Sequence, residues 1–352
     1  MASEIFYLGG YAEPGEAGIR MCSLEPRTGE CLVRAECSAL VNPSYLLCHP
    51  RRKILYAVEE MVPEGRIAAL SAEGDRLEKI CALPSGGADP CHLALSPDAR
   101  HLFVANYSGG SLAVFALDEA GVPVKRTDFV RHRLDMRARE GANPLRQESA
   151  HVHFSLCDGA RVFVCDLGLD AVFVYGWDAG CGKLIDNGER IELPRGVGPR
   201  HLVISDDRRF LYVMCELSAQ VAVFACGEGG DWRQIQAVSS VPEDFRSFAD
   251  FRYSTGAAIR FADRETLCVS NRGHDSVACF RVCADGRLSE RRILPSEGRT
   301  PRDIQVIGGQ LIAANQDSGS VAVFGREAGG YVPLASAIVG GKPSCVCAVP
   351  WK

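Results

Sequence analysis

Histidine, arginine and glutamate recur at matching places along this chain, and their spacing limits the chemistry open to it. The triplet HVH sets His151 and His153 on one side of an extended segment, because side chains alternate along a strand. Such a pair can ligate zinc or exchange protons. No third ligand accompanies it in the sequence, so no metal and no cofactor are expected, and acid–base or hydrogen-bonding use is favoured. GPRH places Arg200 beside His201, CEL supplies Glu216, and NRGH carries Arg272 and His274. Arginines of this kind grip carboxylates, phosphates or a developing oxyanion. Glu216 is their ion-pair partner, a general base, or both. No GxSxG elbow is present, so direct attack by water is preferred to an acyl-enzyme.

These residues sit at the edges of a phrase repeated along the chain. LYAVEE (55–60), LFVANYSGGSLAVF (102–115), VFVCDLGLDAVFVY (162–175), LYVMCELSAQVAVF (211–224), LCVSNRGHDSVACF (267–280) and LIAANQDSGSVAVF (311–324) share one pattern: an apolar run, a polar pair, a turn, and an alternating apolar run. That reads as strand, tight turn, strand. Aligned on Glu59, Asn106, Asp166, Cys215, Asn271 and Asn315, the copies are separated by about 47, 60, 49, 56 and 44 residues, which suits four-stranded propeller blades.

A second phrase precedes each copy: NPSYLLCHP, DPCHLALSPD, SAHVHFSLCD, GPRHLVISDD, TGAAIRFADR and TPRDIQVIGG. It is expected to form the innermost strand, A, with the repeat supplying B and C and the variable stretch after it D. KPSCVCAVP (342–350) reads as a seventh A, with IFYLGGY (5–11) and GIRMCSL (18–24) as its B and C. The expected fold is therefore all-β, a seven-bladed propeller occupying 1–352 as one domain, its ring closed by terminal segments that share a blade and leave no open edge.

Antiparallel order puts the start of A and the end of B on one face. The A heads offer Tyr45, His92, His151, His153, Arg200, His201 and Arg302; the B ends offer Glu60, Tyr107, Leu167, Glu216, Arg272 and Gln316, with His274 just beyond. All are expected around one mouth of the central channel. His92 reads as a structural histidine bonding a neighbouring blade, and Asn106, Asp166, Asn271 and Asn315 as caps of the B–C turns. Residues 117–148 read as a long loop carrying Lys125, Arg126, Arg131, His132, Arg133, Arg137, Arg139 and Arg146, either a solvated flap or a basic lid guiding an anion. Arg146 and Gln147 adjoin the HVH strand. The irregular stretch 241–254 covers either the same face or the outer rim.

Bulk properties exclude several classes. A net charge of −5 argues against general nucleic-acid affinity. No apolar run approaches the roughly 18 residues of a membrane span, and MASEIFYLGG lacks the basic and apolar regions of a signal peptide. The sixteen cysteines include no CxxC pair and read as free thiols of a reducing cytoplasm. A monomer or weak homo-oligomer is expected.

NPSYL, LYAVEE, DPCHLALSPD, VANYSGGSLAVF, RQESAHVHF, DLGLDAVFVY, GPRHLVIS, CEL, NRGHDS and AANQDSGSVAVF together resemble the lactonase family of seven-bladed propellers, which includes propeller-type 6-phosphogluconolactonase and the fungal carboxy-cis,cis-muconate cyclase. The resemblance runs the full length. It implies a site of one histidine, two arginines and one glutamate, which fall on His151 (with His153 beside it), Arg200, Arg272 and Glu216. Two positions depart from the family: Cys215 stands where asparagine usually precedes that glutamate, and Ala258 stands where a carboxylate is common before NRG.

The expected function is hydrolysis of a sugar-derived lactone, 6-phosphoglucono-δ-lactone first. Arg200 and Arg272 hold the anion and oxyanion, Glu216 or His151 activates water, and other histidines protonate the alkoxide. His153, His201, His274, Arg302, Gln316, Arg146 and Tyr107 are expected to line a pocket for a small anionic lactone or sugar acid. The alternatives are a muconate-type cycloisomerase and a non-catalytic binding propeller.

Overall fold

The structure is a computed structural model that describes residues 3–133, 143–245 and 254–351. Among these residues the chain forms seven antiparallel sheets, the architecture of a seven-bladed β-propeller. One blade runs Pro199–Ile204, Phe210–Cys215, Gln220–Cys226 and Trp232–Ser239, the A, B, C and D strands read from the sequence. The terminal segments share a sheet in the order Lys342–Ala348, Glu4–Tyr11, Ile19–Leu24 and Cys31–Cys37, so the last strand of the chain pairs with the first.

Burial explains the repeated phrase. The B strands FLYVMC (Phe210–Cys215) and ILYAVE (Ile54–Glu59) are buried along their whole length, hence their unbroken apolar runs. D strands are sheet edges and alternate or turn polar. Backbone contacts divide the chain into two compact units, one built on Ser23–Leu32 and Pro199–Val346, the other on Ile5–Cys22 and Val33–Gly198. In the first, Tyr212, Met214, Leu267 and Phe280 fill the space between adjacent blades. In the second, Phe103, Val164, Tyr175 and Trp177 do so.

Two expected loops resolve differently. Pro123–Arg131 is a D strand paired with Ser111–Leu117 and not part of a long 117–148 loop. Its basic residues read as loop because an edge strand carries charge against stray pairing. The Arg126 guanidinium lies over the Phe129 ring, 5.0 Å from its centre. Arg137 and Arg139 lie outside the described residues. In the stretch 241–254, Glu243–Phe245 forms a 3-10 turn and 246–253 lie outside the described residues.

Inner strands share a feature that the sequence did not announce. Pro199 pairs with Cys215 and His201 with Met214, so Arg200 is an extra residue in the ladder, a β-bulge. The same slip falls at Cys91, His153 and Arg302 in three other blades, and at Ala257 with Ala258 in a fourth. A bulge bends the strand and re-aims the extra side chain. Four blades thus present one residue each by one device, and only the residue type differs.

Candidate active site

In the unit built on Pro199–Val346, Glu216 follows strand B directly and is 1 % exposed. Its Oε2 lies 3.1 Å from Nε of Arg200, the bulge residue of the same blade, and 2.8 Å from Nη2 of Arg272, at the B end of the next blade. Each guanidinium is also held by backbone: Arg200 Nη1 donates to the Ala257 carbonyl at 2.8 Å and Arg272 Nη2 to that of Gly256 at 3.1 Å. The Gly256 amide donates to the Glu216 carbonyl at 2.9 Å. A Cβ on Gly256 would displace the terminal methyl of the buried Met214 side chain. Arg200 Nη1 also lies 3.1 Å from Nε2 of buried His201.

The other expected residues of this unit have contacts of their own. His274 bonds Ser276 Oγ at 2.8 Å and meets the edge of the Phe245 ring at 4.3 Å. Burial lowers its pKa below the ordinary histidine value, opposed by Asp244 and Asp275. Gln316 is half-buried, its Nε2 donating to Asp317 at 3.2 Å and its Oε1 without a hydrogen-bond partner among the described residues. Arg302 is half-buried at its bulge. A cavity of about 990 Å³ in this unit is lined by Asp206, Phe210, Phe261, Glu265 and Arg281. It lies at the end of strand B opposite Glu216, so it does not include the arginine–glutamate cluster.

In the other unit, both rings of the HVH segment meet Tyr107. His151 stacks on it with ring centres 4.3 Å apart and planes at 15°, and His153 meets it edge-on at 5.4 Å. Arg146 Nη2 donates to the Tyr107 hydroxyl at 3.1 Å. His153 Nδ1 is 3.8 Å from Cys91 Sγ, so two bulge residues meet. His92 lies between the rings of Tyr45 and Phe154, at 4.4 and 4.2 Å, joining three blades. Glu60 accepts from the Tyr11 hydroxyl at 3.0 Å and from Ser44.

Two contacts escaped the reading of the residues. Glu148 Oε1 lies 2.9 Å from His151 Nε2, whose Nδ1 faces the Tyr107 carbonyl at 3.2 Å. Glu148 precedes the strand, where alternation carries no information; its place three residues before His151 was the available signal. His132, counted among the basic residues of a loop, is buried between Asp166 Oδ2 at 2.7 Å and the Tyr175 hydroxyl at 2.9 Å.

The residues read as turn caps also reach the preceding blade. Asn106, Asn271 and Asn315 donate to the carbonyls of Ser85, Ser240 and Ser296, each just beyond a preceding D strand. Asp166 caps its own turn through Leu169. Cys215 occupies the equivalent place with a thiol directed at the Val213 carbonyl, 3.8 Å away. Among the described residues no group of three or more His, Cys, Asp and Glu could hold a metal ion, and no helix is long and apolar enough to cross a membrane.

Residues 5–348 match the family described as Lactonase, 7-bladed beta-propeller. A 6-phosphogluconolactonase of Bacillus subtilis is 30 % identical over 98 % of both chains. One of Formosa agariphila is 30 % identical over 90 % of both. The structure of the Pseudomonas aeruginosa periplasmic gluconolactonase superposes with a TM-score of 0.87 at 32 % identity, covering 98 % of each chain.

Proposed function

Since this chain belongs to the lactonase family of seven-bladed β-propellers, we propose that it hydrolyses a sugar-derived lactone, with 6-phosphoglucono-δ-lactone the first candidate. The observation that carries the reading is the convergence of Arg200 and Arg272 on one buried oxygen of Glu216. Two guanidiniums fixed by a carboxylate and by backbone carbonyls are preorganised for an incoming anion. Such donors act where charge develops, on the oxyanion formed as water adds to the lactone carbonyl.

In this reading Arg200 and Arg272 stabilise the oxyanion and hold the acidic substituent. Glu216 keeps both in place and takes the proton of the attacking water. His151, which the resemblance groups with these three, delivers the proton to the ring oxygen as it leaves. Tyr107, Arg146, His153, His201, His274, Arg302 and Gln316 are assigned to substrate binding. No cofactor is assigned.

Two relatives carry the name of the phosphorylated reaction and one structural neighbour that of the unphosphorylated one. Gluconolactone is therefore the second candidate. We place the reaction in the cytoplasm, a reading supported by sixteen cysteines described as free thiols. The neighbour just named is periplasmic.

The test is hydrolysis of freshly generated 6-phosphogluconolactone, coupled to 6-phosphogluconate dehydrogenase and corrected for the spontaneous rate. Acceleration that Arg272→Ala loses supports the assignment. Acceleration of gluconolactone alone moves it to the second candidate, and acceleration of neither overturns it.

A further inference from the structure

We infer that Glu148 is a positioning residue that keeps a mobile proton on His151. This inference rests on the proposed role of His151 as proton donor. A carbonyl oxygen can only accept, so the 3.2 Å contact between His151 Nδ1 and the Tyr107 carbonyl places a proton on Nδ1. A neutral imidazole then presents Nε2 as an acceptor, yet Nε2 faces the carboxyl oxygen of Glu148 at 2.9 Å. Two acceptors at that distance need a proton between them. The pair therefore holds one proton more than a neutral ring beside a carboxylate would.

The surroundings fit this use. The His151 side chain is 6 % exposed and its ring is fixed by the stacked Tyr107, whereas the Glu148 side chain is 52 % exposed. The ring is thus held in a packed place, and its partner can exchange protons with solvent. Hydrolysis needs such a proton. Water adds to the carbonyl carbon and gives up one proton. The bond from carbon to ring oxygen breaks, and the alkoxide takes the proton shared by His151 and Glu148. The proton released by water passes to solvent, and solvent restores the pair. The sum is lactone plus water giving the hydroxy acid.

Glu148→Gln separates a proton-holding role from a merely structural one. A glutamine amide donates to a neutral Nε2, so the contact persists while the extra proton is lost. On the lactone that the wild type turns over, Glu148→Gln is expected to lower kcat about tenfold or more with KM within about twofold, and Glu148→Asp is expected to keep most of kcat. A Glu148→Gln enzyme with wild-type kcat, or one changed in KM alone, overturns the inference. The imidazole 15N signals of His151 give a readout without turnover. A changed Nε2 signal in Glu148→Gln is expected, and an unchanged one overturns the pairing. A wild type inactive on every lactone with a changed Nε2 signal would sink the proposed function and the proton's use in it, and leave the pairing established.

Discussion

Nη2 of Arg272 lies 2.8 Å from Oε2 of Glu216, reaching it from the next blade, and Arg200 meets that same oxygen from Glu216's own blade. Glu216 therefore holds the two guanidiniums in register. Removing the carboxylate leaves two cations facing each other in a buried place. Glu216→Ala is expected to cost about 3–5 kcal/mol of stability, the range for breaking a buried ion pair by deleting one partner. Urea unfolding checks this, and a loss below about 1 kcal/mol would count against the clamp.

Arg272 is the less buried of the two arginines, so its removal disturbs the fold less. Arg272→Ala is expected to lower kcat about 10²-fold while the protein remains folded. Near wild-type turnover, measured beside a circular dichroism check of the fold, would remove this arginine from the chemistry.

Tyr107 serves His151 in two separable ways, through its ring and through its hydroxyl. Tyr107→Phe keeps the stacked ring and drops the acceptor for Arg146, so a change chiefly in KM is expected. Tyr107→Ala removes the ring that fixes His151, and a fall in kcat of about tenfold or more is expected. Equal effects from the two substitutions would show that the stacking does not matter.

Asn315 and Gly298 form one unit of the blade-to-blade staple. Asn315 is fully buried and donates to the Ser296 carbonyl at 2.9 Å, and Gly298 lies against its side chain where a Cβ would collide. Asn315→Ala is expected to cost about 1–3 kcal/mol, the range for an unsatisfied buried group. Gly298→Ala also destabilises, and the double variant is expected to lose less than the sum, because removing the amide takes away two of the three clashes with the new methyl, the one with the Asn315 Cβ remaining. Strict additivity in denaturant titrations would contradict this contact.

Burial lowers the pKa of His49, aided by Arg51 and Arg52, and burial likewise lowers that of His101 and His274. His49 Nδ1 accepts the amides of Arg51 and Arg52, both at 3.1 Å, and cannot keep these bonds once protonated. As pH falls through about 6.5, the unfolded chain takes up protons that the folded chain resists, so stability falls with pH from there. The expected result is a lower Tm at pH 5.5 than at pH 7.5, with a shallower slope in His49→Asn, which retains an acceptor but does not titrate. The same slope in both proteins would clear His49 of this effect.

The blade plan was legible in the sequence because it is written in local terms. Apolar runs such as FLYVMC, the turns after them and the spacing of the copies are properties of neighbouring residues, and a strand buried on both faces leaves that signature unaided. His151 and His153 do both meet Tyr107, although a bulge at His153 interrupts the alternation. What only the tertiary structure decided is how these polar groups meet and which others join them. Arg200 reaches Glu216 through a bulge, a matter of pairing register that residue types do not reveal. Arg272 arrives from a different blade, 56 residues further along the chain than Glu216. His132 looked like a solvated loop residue and is buried against Asp166 and Tyr175, because a D strand carries it back to its neighbour. Contacts of this kind depend on how sheets stack side by side, and that stacking leaves no mark on the sequence around either partner.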